Sequence, residues 1–433
     1  MTMTQPQICI NLMRYNNPNG TALFNELTLT FTKQKTGLVG RNGIGKSTLI
    51  KLILGELCPA SGTIHVVANL AYVPQHRVTP PQITIAGLLG YAEKLNALQR
   101  ITQGSVDERD FIILNEDWNI EDRIHHQLLI FGLHNISYHQ QVHTLSGGEI
   151  TRLLLTKAFL SNADFLLLDE PTNHLDSTAR LQLYNAIAQW QGGLVVVSHD
   201  RALLNMMDEI VELTTLGARC YGGNYDAFLE QSAIEKSAKN QQLEDAKKLI
   251  QKTKNSVQSS REKHEQKQSY GSELRRSGSI GKMAADSKKG RSERTKSKLL
   301  IKENRLIHLA ESQLQSAKDK IEIIEEINID LPETIVPNGK IILDIEDLSF
   351  SYPDANHMLI QNFSLKMQGP QRIALIGDNG SGKSTLVKLI LKELQPQNGK
   401  ISIGTNYVSY LDSKCKPIKV WIFCIRKFSP IES

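Results

Sequence analysis

Long hydrophobic runs are missing from this chain. Its longest apolar stretches, LVVV (194–197) and VWIFCI (420–425), are strand-sized, whereas crossing a bilayer takes roughly 18 consecutive apolar residues. The opening MTMTQPQICINLM has no basic segment followed by an apolar block, so no secretory leader is read there. Cysteine is sparse: Cys9, Cys58, Cys220, Cys415 and Cys424 form no CxxC pair. That excludes zinc-ribbon spacing and suits reduced thiols in a cytoplasmic protein. Aromatics make up 6% of residues and the net charge is only +5. The 433 residues suffice for two to four domains, each with its own core.

What is present is a phosphate-binding loop, twice. TGLVGRNGIGKSTLIKLILGEL (36–57) has the form G-x-x-x-x-G-K-[ST], through Gly40, Gly45, Lys46 and Ser47. A short apolar strand precedes it and an apolar-periodic helix follows, the context such a loop requires. Glycines let backbone N–H groups and a helix N-terminus face phosphate. Lys46 then reaches the β and γ phosphates and the Ser47 hydroxyl ligates Mg²⁺. Asn42, Gly43 and Thr48 complete this nucleotide-binding cradle.

The second copy, RIALIGDNGSGKSTLVKLILKEL (372–394), places Gly377, Gly382, Lys383 and Ser384 each 337 positions after their counterparts. Asn379, Gly380 and Thr385 complete it. The same offset joins Tyr15 to Tyr352, Pro59 to Pro396, Gly62 to Gly399 and Asn69 to Asn406. Between them LFNELTLTF (23–31) matches LIQNFSLKM (359–367) at 336, a slip of one residue. A constant shift over so long a stretch is an internal duplication.

Further motifs follow the first loop in a fixed order. YVPQ (72–75) sets the Gln75 amide after a short strand. LSGGE (Leu145, Ser146, Gly147, Gly148, Glu149) heads a helical stretch and offers N–H groups at its start. FLLLDEPTNHLD (165–176) reads as a buried strand ending in Asp169 and Glu170, and GLVVVSHD (193–200) as another ending at His199.

This succession resembles an ATP-binding cassette (ABC) domain. The resemblance implies ATP and Mg²⁺ as cofactors, with Ser47, Gln75 and Asp169 at the metal. It makes Glu170 the residue that polarises the attacking water and His199 the sensor of the γ phosphate. Asp176 falls where the family couples paired sites, LSGGE where it caps ATP held by a partner domain, and Tyr15 where an aromatic stacks on adenine. For Tyr15 a core tyrosine is the competing reading. Phosphoryl transfer needs charge neutralisation, in-line positioning and a base, which is what these residue types supply.

Between the copies the composition changes. Residues 231–300 hold 18 Lys/Arg against 8 Asp/Glu, which leaves the rest of the chain slightly acidic. Ile234, Leu243, Leu249, Ile250 and Val257 recur at helical spacing, RRSGSIG (275–281) interrupts, and Leu299, Leu300, Leu306, Leu309, Leu314, Ile321 and Ile324 resume it. The pattern predicts two long helices folded back on each other with basic residues near the hinge. Tyr270, the lone aromatic there, argues against base stacking and leaves contact with a phosphate backbone open.

Two cassettes, no membrane domain and a charged helical linker together resemble the ABC-F subfamily. The resemblance implies a linker reaching toward transfer RNA on the ribosome, with ATP turnover governing release. A solvated connector that only spaces the cassettes is the alternative. The expected fold is α/β: a P-loop NTPase ABC cassette with helical subdomain (6–230), an α-helical hairpin linker (231–336) and an incomplete second ABC cassette (342–412).

Residues 413–433 resemble nothing in the first copy. Ser413 stands where the glutamine is expected, and no second LSGGE, acid-ended strand or switch histidine follows. The expectation is a reading frame lost near residue 413, with a purposeful short tail as the rival. On that reading neither intramolecular ATP site is whole and activity is impaired, although two chains could pair their first cassettes as a homodimer. An energising subunit of a membrane transporter, or a relic that binds ATP without turnover, are the alternative functions.

Overall fold

The computed structural model describes residues 6–75, 82–134, 136–276, 282–321, 336–353, 358–377, 380–405, 407–410 and 419–422, with side chains 264, 267, 268, 271–299 and those of 407 and 419–422 left aside. The chain groups into two compact units: Met1–Val78, Lys157–Thr172 and Ala188–Glu325 in one; Thr79–Thr156, Asn173–Ile187 and Glu326–Ser433 in the other.

The first unit holds two sheets. β1 (Gln7–Asn16), β2 (Ala22–Phe31) and β4 (Ser61–Val67) form an antiparallel sheet of order β2-β1-β4. The larger sheet, of order β5-β6-β7-β3-β8-β9, is built from β3 (Lys35–Gly40), β5 (Leu70–Val73), β6 (Phe165–Asp169), β7 (Gly193–Val197), β8 (Glu209–Thr214) and β9 (Gly217–Gly222). Its neighbours are parallel except for β8 with β9. Strands β6 and β7 are buried at every position, as continuous apolar runs in a covered parallel sheet should be. Helix α1 (Lys46–Ile53) buries Leu49, Ile50, Leu52 and Ile53 in one core with Ile8, Phe31, Leu38, Phe165 and Val195.

From β9 the chain enters the predicted hairpin, α9 (Tyr225–Arg276) and α10 (Lys282–Asp319), which pack on each other. Val257 and Ala310 are buried between them, and Arg261 Nε donates to Glu303 Oε2 at 3.0 Å. The hinge at 277–281 and Ile324 lie outside the described residues. The first helix starts six residues before the linker boundary read from composition, because Asn224 Oδ1 accepts from the Ala227 N–H and starts the helix there.

In the second unit α2 (Ile85–Leu89), α3 (Ala92–Thr102), α4 (Glu108–Leu114) and α5 (Ile120–Ile130) bury Leu89, Leu95, Leu114, Ile124 and Leu128. Thr84 and Asp107 cap α2 and α4 through their side chains. The helices α6 (Gly147–Leu160) and α7 (Ser177–Gln189) follow in sequence, and α8 (Arg201–Leu204) comes after β7.

The duplication is visible in three dimensions. β10 (Ile341–Phe350), β11 (Ile360–Gln368) and β12 (Asn398–Ile403) repeat the first antiparallel sheet, in order β11-β10-β12, and α11 (Lys383–Ile390) repeats α1 with one change, Val387 for Ile50. Gly62 and Gly399 both have positive φ, and a Cβ on either would meet a backbone oxygen at 2.5 Å, so both copies need glycine.

The copies part at the strand before the loop. Residues 372–377, the counterpart of β3, pair with no strand among the described residues. Leu38 is fully buried while Leu375 is 42% and Ile376 93% exposed. β13 (Tyr407–Tyr410), the counterpart of β5, pairs antiparallel with β14 (Lys419–Ile422), where β5 pairs parallel with β6.

Candidate functional site

The site is assembled on the carboxyl edge of the parallel sheet. β3 delivers the loop, and Gly45 (φ 105°) turns the backbone into α1. A Cβ on Gly45 would stand 2.7 Å from Phe24 Cζ and 2.8 Å from Leu23 Cδ2, so packing beneath the loop, as well as φ, demands glycine. Asn42 and Gly43 are exposed at the loop's crest; Ser47 and Thr48 are half-buried on the first turn of α1. Lys46 is 8% exposed, and its Nζ donates to the carbonyls of Gly40 at 2.7 Å and Arg41 at 3.1 Å. Burial lowers its pKa, while Glu170 and Asp169 act in the opposite direction.

β6 ends in Asp169, 2% exposed, followed by Glu170 with φ +50°. A left-handed glutamate is a strained backbone held by its surroundings; here the Glu170 N–H donates to Val197 O at 2.8 Å. Burial first, then Asp169, raises the Glu170 carboxyl from 4.5 to about 7, against the pull of Lys46. His199, two residues past β7, sets its Nε2 3.5 Å from Glu170 Oε1. Burial, then Lys46, lowers the His199 pKa, so the ring is neutral at neutral pH. Val73 pairs with Leu168, which puts the exposed Gln75 on the same edge as Asp169.

Lys46, Asp169, Glu170 and His199 are thus brought together, and Gln75 stands on their edge. Tyr15 is half-buried and packs against the core of the first unit. The signature belongs to the second unit, where it forms a reciprocal cap. The Ser146 N–H donates to Glu149 Oε2 at 2.7 Å and the Glu149 N–H to Ser146 Oγ at 3.3 Å. Gly147 opens α6, Gly148 is buried and Leu145 is 9% exposed. Asp176 caps α7, accepting from the Ala179 N–H at 2.9 Å. Sequence reading saw free amides in LSGGE, although S-x-x-E is also the capping-box pattern.

In the second copy Lys383 Nζ donates to Gly377 O at 2.7 Å, repeating the Lys46–Gly40 contact, and Gly382 repeats the positive φ of Gly45. Ser384 is exposed and Thr385 buried, its Oγ1 3.2 Å from the Tyr352 hydroxyl. Gly380 has φ 84°, and Asn379 lies outside the described residues.

Tyr72 was missed from sequence: in β5, burial and then Asp169 push its phenol up to about 12. Its position one residue before Val73, in a strand paired to β6, is the signal that could have found it.

The residues fit a nucleotide carried with Mg²⁺. Among the described residues no group of three or more His, Cys, Asp or Glu could cage a metal. Ser47 and Asp169 beside a phosphate cradle match a small hard cation that takes much of its coordination from phosphate and water. The cradle would receive the phosphates, and the buried Lys46 would supply their countercharge.

Comparison with known proteins gives the same answer for the fold. A family model described as ABC transporter matches residues 24–173 and 360–425. The chain is 31% identical over 399 residues to the ATP-binding protein Uup of Haemophilus influenzae, covering 87% of this chain and 55% of that protein. It is 28% identical over 391 residues to the probable ATP-binding protein YheS of Escherichia coli (86% and 54%). It is 29% identical over 418 residues to the putative ATP-binding protein YdiF of Bacillus subtilis (88% and 58%). The chain thus spans about half the length of these curated relatives. Its fold is the α/β P-loop ABC ATPase cassette with helical subdomain, followed by a second, partial ABC region.

Proposed function

We propose that a chain built around this ABC ATPase cassette binds ATP with Mg²⁺, hydrolyses it, and works as an ABC-F-type protein on the ribosome. One observation carries the ATPase reading: a buried ammonium, two carboxylates and a neutral histidine converge on one sheet edge beside a glycine-shaped phosphate cradle. Bound Mg²⁺ would draw charge from the transferred phosphoryl group. Lys46 would hold the phosphates, Ser47, Gln75 and Asp169 would hold the metal, Glu170 would orient and deprotonate the attacking water, and His199 would donate toward the γ phosphate. The assignments of Tyr15 to adenine, Asp176 to coupling, and Ser146 through Glu149 to a partner's nucleotide belong to the same proposal, as does pairing of two first cassettes. The proposal extends to the second cradle, Gly377 through Thr385.

The ribosomal part rests on the hairpin. A 52-residue helix reaches about 78 Å at about 1.5 Å per residue, and residues 231–300 carry an excess of ten positive charges. A long basic arm suits contact with an RNA phosphate backbone, and among the described residues no helix is long and apolar enough to cross a membrane. The word transporter in the name of a Bacillus subtilis relative, the uncharacterized ABC transporter ATP-binding protein YfmM, favours a second reading as a transporter's energising subunit. Co-sedimentation decides: binding to ribosomes that weakens steeply with salt supports the first reading, binding to membranes the second. For the ATPase, Lys46→Ala should abolish binding of a fluorescent ATP analogue and Glu170→Gln should retain binding while losing turnover. Unchanged turnover in Glu170→Gln would overturn the assignment.

A further inference from the structure

Beside the phosphate cradle, and within the first unit, lies a cavity of about 620 Å³, a size typical of small-ligand sites. None of Lys46, Ser47, Asp169 or Glu170 lines it. It touches the nucleotide site only through the edge formed by Gly40, Arg41, Ser198 and His199. Its other walls include Leu204 of α8, the end of β8, Arg219 of β9, the first four turns of α9, and Lys320 and Ile321 after α10. Both legs of the hairpin therefore meet here at their root.

The lining has two characters. Leu204, Leu213, Phe228 and Leu229 give it an apolar floor. Around them stand five cations, Arg41, Arg219, Lys236, Lys239 and Lys320, against one lining carboxylate, Glu212. Glu212 lies 3.7 Å from Lys236 Nζ, and Glu235 pairs with Arg219 at 2.7 Å and Lys239 at 3.7 Å. Among the described residues neither Arg41 nor Lys320 has a carboxylate partner. Among the described residues the local balance stays positive.

Ser232 supplies an independent observation. It is 3% exposed, it lines the cavity, and among the described residues its Oγ has no hydrogen-bond partner. A helical hydroxyl ordinarily bonds back to the carbonyl four residues earlier, and on the same helix Thr253 does so, to Leu249 O at 2.9 Å. Buried polar groups in native proteins are satisfied, so a hydroxyl left orphaned in the cavity wall, its oxygen closed to water in this side-chain position, would gain a hydrogen bond by turning toward a ligand.

The geometry points to a binding site for a small amphiphilic anion, an apolar body seated on Leu213 and Phe228 with a phosphate- or sulfonate-type head among Arg41, Lys239 and Lys320 and within reach of Ser232. The site adjoins the ATP cradle, sharing Gly40 and His199 with it, and stands where the nucleotide edge meets the hairpin root.

Isothermal titration of the full chain with octyl phosphate, below its micellar concentration, tests this. Binding should be one to one, with octyl glucoside and inorganic phosphate each at least tenfold weaker, because one lacks the charge and the other the apolar body. Ser232→Phe, which fills the cavity, and Lys320→Glu, at an exposed residue of its rim, should each weaken octyl phosphate at least tenfold. Ser47→Ala, at a cradle residue outside the lining, should leave it unchanged, so the inference and the ATPase reading can fail separately. Binding that survives both cavity variants, equal binding of inorganic phosphate, or loss of binding in Ser47→Ala would each overturn the proposal. The last would place the ligand in the phosphate cradle.

Discussion

The Nε2 of His199 stands 3.5 Å from Oε1 of Glu170, and the two groups are shifted in opposite directions. Burial raises the glutamate from 4.5 to about 7 and lowers the histidine. Between pH 4.5 and 7 the folded protein therefore binds a proton at Glu170 that the unfolded chain has released. Stability from this group is full below 4.5 and is lost as pH rises through about 7. Without nucleotide and Mg²⁺, Glu170→Gln should melt about 2–4 °C above the parent at pH 8. The gap should close toward pH 5. Scanning fluorimetry across pH checks this, and a gap constant with pH would contradict it.

Gly45 is held by two constraints at once, a φ of 105° and side chains 2.7–2.8 Å from where a Cβ would sit. Gly43 has a φ of 83° but open space around it. Gly45→Ala should thus cost about 2–4 kcal/mol, from backbone and overpacking together, whereas Gly43→Ala should cost about 1 kcal/mol. Binding of a fluorescent ATP analogue should fall much further for the first, because Phe24 and Leu23 must move and carry the loop with them. Equal losses would show that packing beneath the loop is irrelevant.

What could be read from the residues, and what could not, divides along a physical line. The loop around Lys46, the acid pair ending β6, His199 after β7 and the two long helices are contiguous stretches, and each stretch determines its own local structure. Tyr72 opens the YVPQ stretch, but its coupling to Asp169, like the setting of Ser232, depends on neighbours distant in sequence. The case of Leu38 and Leu375 is sharper. Similar strand sequences give a buried strand in one copy and an exposed, unpaired segment in the other. β3 is built by β7 and β8, and strand propensity without such neighbours does not make a strand.

Glu149 illustrates a motif with two meanings. Its carboxylate takes the Ser146 N–H at the start of α6. Glu149→Ala should free that amide and cost about 1 kcal/mol, while Glu149→Gln, which can still close the box, should lose only part of it. Hydrogen exchange resolved at the start of α6 is the measurement. Faster exchange at Ser146 and Glu149 in the alanine variant alone is the expected pattern, and unchanged rates would mean the cap contributes nothing.

Lys35 and Arg372 occupy equivalent positions, 337 residues apart, each at the start of the segment that leads into its phosphate loop. Lys35 opens β3, is half-buried, and its Nζ donates to Ala188 O at 3.1 Å. Its backbone N–H is held by Asp208 Oδ2 at 2.9 Å, and β7 and β8 flank the strand on both sides. Arg372 is exposed, and residues 371–377 have no strand partner among the described residues. A protease must draw an extended segment into its cleft, and a segment already unpaired needs no local unfolding to reach it. Brief trypsin treatment of the folded chain should therefore cut after Arg372 well before Lys35, leaving the first cassette whole. Mass spectrometry of the early fragments reads the order. Cleavage at both sites at the same rate would mean that 372–377 is shielded in solution, and that its strand finds a partner after all.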